Sequence, residues 1–80
     1  MSTEVSEFAR QAVLRRSVLS FFSADPYLSK AVSKLLVRDI LVVEDLLKIP
    51  REKLETEYFI SETSLARMDI FLKQCGMALS

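Results

Sequence analysis

Residues 40–79, ILVVEDLLKIPREKLETEYFISETSLARMDIFLKQCGMAL, decide the fold. The stretch opens with an apolar run, Ile40 to Val43, and passes into one acidic-apolar helical turn, Glu44-Asp45-Leu46-Leu47. Pro50 has no N–H to give a helix and breaks the chain there, so Arg51 to Thr56 can form a second short helix after it. A longer amphipathic helix is predicted from about Ser61 to Cys75, stopped by Gly76. Its apolar face holds Leu65, Met68, Phe71, Leu72 and Cys75, while Ile70 points away beside Arg67 and Gln74. Once each helix is oriented by its own periodicity, Leu65, Met68 and Leu72 are left to pack against Leu35, Val43, Leu46 and Leu54.

Upstream, Ser2 or Thr3 can cap a first helix, with Glu4 and Glu7 near its positive end. No Pro or Gly interrupts it before the Ser23-Ala24-Asp25-Pro26 turn, so one helix over residues 1–23 is expected. Val5, Phe8, Ala12, Leu19 and Phe22 share one face, and Leu14, Val18 and Phe21 an adjoining one. That is more apolar surface than one docking face needs. Leu14, Val18, Phe21 and the outward Ile70 are therefore the candidate partner interface, most simply for a twofold dimer. A second helix runs from Tyr27 or Leu28 to Arg38, with Asp25 as its cap and Pro26 in its first turn. Leu28, Val32, Leu35 and Leu36 form its buried side, and Lys30, Lys34 and Arg38 a basic stripe opposite. Such a stripe reads either as a solvated face or as a phosphate-facing surface.

Eighty residues make one domain with a modest core. Half of the chain is apolar, with one Gly and two Pro, which argues against disorder. Net charge is zero but unevenly spread, +3 over residues 1–38 and −3 over residues 39–80, unlike a strongly basic nucleic-acid binder. With no His and the single Cys75, read as a buried structural thiol, neither a disulfide nor a zinc site is expected, and no cofactor is implied. There is no Gly-rich phosphate loop and no Ser or Cys with a base nearby in sequence, so no catalytic residue and no enzyme is expected. Residues 1–16 are dotted with Glu and Arg, unlike a signal peptide, and no run is long enough to span a membrane. A cytoplasmic chain is the expectation.

Short helices, tight turns and one longer helix ending in Gly follow the pattern of helix-hairpin-helix modules. Ile40-x-x-Val43-x-Asp45-Leu46, followed in ungapped register by Ser64-Leu65-x-x-Met68-x-x-x-Leu72-x-x-x-Gly76-Met77-x-Leu79, resembles the C-terminal domain of the bacterial RNA polymerase alpha subunit. The resemblance covers about residues 29–79. It implies an all-α fold, a compact four- to five-helix domain over residues 24–80, preceded by an added amphipathic helix over residues 1–23. It also implies a transcription-associated module that holds A·T-rich minor groove with two elements, the helix at Ser29–Arg38 and the hairpin with helix start at Ser61–Arg67.

On the first element Lys30 stands where the family has its main minor-groove Arg and Ser33 where it has Asn, with Lys34 and Arg38 as additional cations. Lys keeps the charge of Arg but loses its planar fork. On the second element Ser61 replaces the hairpin Gly and Thr63 a Lys, Ser64 is retained, and Arg67 replaces an acidic residue. Glu62 on the first turn would repel phosphate. The family's domain also touches sigma factors and activators. Two readings thus stay open: weak binding to A·T-rich DNA, or a protein-interaction or dimerisation domain that kept the scaffold and lost the DNA site. The expected partners are DNA or transcription proteins such as polymerase, a sigma factor or a regulator.

Overall fold

The N-terminal segment is two helices, not one. In the computed structural model, which describes residues 3–79, α1 (Thr3–Leu14) stops at Arg15 and α2 (Val18–Phe21) begins after Ser17. Ser17 ends the first helix by adopting extended backbone, and its side chain accepts the N–H of Ser20 as the cap of the second. Its position is fixed from a distance: Val18 N–H donates to the Leu41 carbonyl at 3.0 Å and Val43 N–H to the Arg16 carbonyl at 2.9 Å, an isolated antiparallel bridge between Ser17 and Val42. The expected cap at Ser2, and the side chain of Val5 on the expected apolar face, lie outside the described residues.

This break corrects the reading of the first helix. Val18 and Phe21, expected to face a partner, are buried in the chain's own core together with Phe22. Phe21, Phe22 and Phe71 pack edge to face, with ring centroids 4.9, 5.7 and 6.2 Å apart. Leu14 is half-buried against the same core. Phe8, Ala12 and Leu19 are exposed rather than docked.

From Asp25 onward the elements lie close to the sequence pattern. Asp25 accepts the N–H of Tyr27 and caps a 3₁₀ turn at Pro26–Leu28, which runs into α3 (Ser29–Val37). Leu28, Ala31, Val32 and Leu35 are its buried side, Leu36 is half-buried, and Lys30, Lys34 and Arg38 are exposed. α3 ends in a Schellman motif: Asp39 takes positive φ (63°), its N–H donates to Leu36, and Ile40 N–H donates back to Leu35. α4 (Val43–Leu47), α5 (Arg51–Thr56) and α6 (Glu62–Gln74) follow, so the described residues hold six α-helices and no strand: an all-α domain.

α6 closes the core. Ser61 caps it, and Gly76 ends it in a second Schellman motif at φ 76°, with Gly76 N–H on Lys73 and Met77 N–H on Leu72. Leu65, Met68 and Leu72 are fully buried, as are Leu35, Val43, Leu46 and Leu54, the set expected from periodicity. Ile49, Ile60 and Met77 complete this core beyond that set. Cys75, expected buried, is a half-buried free thiol. Behind the last turn, Asp69 accepts the N–H of Leu79 and pins the tail.

Candidate functional site

Six of the eight residues expected to meet nucleic acid lie on one face of the molecule. Lys30, Lys34, Ser61 and Ser64 line a groove of about 430 Å³ between α3 and the start of α6, with Tyr27 and Phe59. Ser33, Lys34 and Arg38 line a second groove of about 300 Å³ with Val37, Tyr58 and Phe59. Lys34 and Phe59 border both grooves and form the wall between them.

Two cations of α3 stitch that wall together. The Lys34 ammonium donates to the Phe59 carbonyl, and the Arg38 guanidinium lies 4.8 Å from the Tyr58 ring centroid. Between these tethers Phe59 takes positive φ (57°), backbone that a bulky L residue adopts at a cost of about 1–3 kcal/mol. That backbone ends α5, where Ile60 N–H closes on the Leu54 carbonyl at 3.0 Å and Ile60 is buried, while the Phe59 ring is left 68% exposed and Val37 across the groove 84% exposed.

The second element departs from expectation at Arg67 and Ser64. Arg67 donates from Nε to Asp25 Oδ2 at 2.8 Å and from Nη2 to Oδ1 at 2.9 Å, and its guanidinium lies 4.5 Å from the Tyr27 ring centroid. A bidentate pair stacked on an aromatic ring occupies the planar fork and neutralises its charge. The pairing holds the Asp25 carboxyl below the usual carboxylate range, with the hydrogen bonds from Arg67 as the largest cause, and raises Arg67 in turn. Arg67, its side chain still 43% exposed, is thus held on Asp25 and Tyr27 and lines neither groove. Ser64 is buried: its N–H donates to Ser61 Oγ at 3.2 Å, and Ser61 Oγ donates to Ser64 Oγ at 3.0 Å, so both hydroxyls serve the helix cap. Thr63 is exposed and lines neither groove.

Of the expected partner interface, Val18 and Phe21 lie in the core and Leu14 is half-buried, which leaves Ile70 exposed on α6. Sequence reasoning missed Tyr27, Val37, Tyr58 and Phe59. The available signal was the Tyr58-Phe59-Ile60 run in the connection between two helices, where a loop is ordinarily polar: Ile60 is buried, Tyr58 half-buried against the core, and Phe59 exposed.

Among the described residues no cluster of His, Cys, Asp or Glu has the grouping of a metal site, and no helix is long and apolar enough to cross a membrane. The chain matches no family model, no curated protein and no solved structure.

Proposed function

We propose that this chain is a non-catalytic, cytoplasmic protein-interaction domain whose recognition surface is the outer face of α3 with the segment 58–61. Phe59 and Val37 carry the reading: two large apolar side chains, 68% and 84% exposed, stand together beside one groove, as on surfaces that a partner covers. The resemblance to the polymerase alpha C-terminal domain supports a transcription protein as the partner. The engagement of Arg67 with Asp25, and of Ser64 with the cap, weighs against the groove-reading half of a DNA site.

A second reading, weak binding to duplex DNA, is favoured by one observation. Lys30, Lys34 and Arg38 are exposed along one face, and residues 29–38 contain no Asp or Glu. Three phosphate contacts would give affinity around the ~10⁻⁴–10⁻⁶ M of non-specific binding, falling steeply with salt.

An NMR titration with a short A·T-rich duplex at low salt separates the two. The interaction reading expects the amides of residues 28–38 and 61–67 to stay in place with excess duplex. Saturable shifts there, weakened by Lys30→Ala and with a salt slope flatter by about one unit, would establish the DNA reading instead.

A further inference from the structure

We propose that the α3 face takes an acidic amphipathic helix of a partner protein, with apolar side chains seated in the two grooves beside the Lys34–Phe59 wall and carboxylates set against Lys30 and Arg38. The inference rests on the interaction reading above and names the partner's chemistry.

The surface is charged and apolar at the same points. Lys30, Lys34 and Arg38 have no carboxylate partner among the described residues, where the ion pairs are Arg51–Glu55, Arg67–Asp25 and Lys73–Asp69. Arg67 is neutralised by Asp25, whereas Lys34 and Arg38 are held only by a carbonyl and an aromatic ring, so that with Lys30 they keep uncompensated positive charge. Between them stand Val37 and Phe59, both largely exposed. A polyanionic backbone approaching the three cations would trap these two side chains against phosphate. An acidic helix with one apolar face buries them and meets the cations with its flanks, the arrangement in which aromatic anchors at the centre carry the affinity and charges at the rim set specificity.

Dimensions agree. Lys30 and Arg38 are eight positions apart, ~12 Å along α3, which matches carboxylates two turns apart on a partner helix lying alongside. The grooves, about 430 and 300 Å³, fall at the small end of the range for ligand pockets and are large enough to take apolar side chains from one face of a helix. The surface is also set in advance. Lys34 and Arg38 fix the 58–59 segment, so little ordering entropy remains to be lost on binding.

The test titrates the labelled full chain with four probes: a synthetic Glu/Leu peptide of about 15 residues with Leu on one helical face, the same composition scrambled, the same pattern with Lys for Glu, and an A·T-rich duplex. The expected result is that the acidic amphipathic peptide shifts the amides of residues 27–38 and 58–61. Binding should weaken about tenfold in Phe59→Asn, whose melting temperature should equal or exceed the parent's because Asn accepts positive φ more readily. Added salt should weaken it several-fold. Equal binding of the scrambled peptide overturns the amphipathic helix. Equal binding of the Lys peptide at the same amides overturns the acidic partner and leaves the interaction reading standing. Shifts with duplex and with no peptide overturn both. No shift with any probe overturns the inference.

Discussion

Arg67 and Asp25 lie 42 residues apart in sequence, yet their bidentate pair, stacked on Tyr27, joins α6 to the turn that starts α3. The pair has a pH signature. Asp25 is held below the ordinary carboxylate value of ~3.9, so its contribution to stability is complete above that value and is lost as pH falls through the lowered one. Asp25→Asn keeps an acceptor for the Tyr27 N–H but loses the charge. The variant should therefore melt below the parent at neutral pH, with the gap closing in strongly acidic buffer; thermal melts across pH check this, and a gap constant to the lowest pH would mean that the ion pair contributes nothing. Phe59 makes the opposite expectation. Relieving its positive φ with Asn should leave stability unchanged or raise it by up to ~1 kcal/mol, measured by urea unfolding, although a large apolar side chain is removed. Neither residue was legible as it stands. Periodicity placed Arg67 on an outer face, which is correct, but its partner is set by tertiary geometry. The backbone angle of Phe59 has no sequence marker, since the residue is neither Gly nor Asn.

At the scale of elements, α5 and α6 are legible because their ends are written in the chain: Pro50 before Arg51, Ser61 as a cap, Gly76 in left-handed backbone. The break between α1 and α2 is not, because Arg15-Arg16-Ser17 contains no residue that forbids helix. Extended backbone wins there because the Arg16 carbonyl and the Val18 N–H bond to Val43 and Leu41 across the chain. Ser17 was the available clue, a capping residue ahead of an apolar pair. Ser17→Ala should cost about 1 kcal/mol, read from urea midpoints, and an unchanged midpoint would mean that the bridge alone sets the break. Leu72 is fully buried on α6 and its carbonyl receives the closing Met77 N–H. Leu72→Ala should cost ~2–5 kcal/mol, a large share of the stability of so small a domain, and a variant that melts like the parent would contradict the assigned core.

For the whole molecule, the question is what apolar surface is left over. The core takes Val18, Phe21 and Phe22, and α1 packs on it through Val13 and Leu14 near its C-terminal end. Glu7 through Ala12 remain exposed, with Phe8 at 78%, in a molecule 40 Å long and about half as wide. A single helix face with one aromatic anchor is small against the ~1,200–2,000 Å² of a stable interface. Self-association through α1 should therefore appear only at high micromolar concentration and vanish in Phe8→Glu, as sedimentation equilibrium would show; a tight dimer unaffected by Phe8→Glu would place the contact elsewhere. The α3 face differs in kind, since charge, strain and two grooves coincide there. The basic stripe was legible from its four-residue spacing, and the apolar wall beside it was not. The most direct test of that face is the amide-shift map of the parent and Phe59→Asn with the acidic amphipathic peptide. Shifts confined to residues 27–38 and 58–61 are expected in the parent, with about tenfold weaker binding in a Phe59→Asn variant at least as stable. Shifts elsewhere, or the same affinity in both proteins, would contradict it.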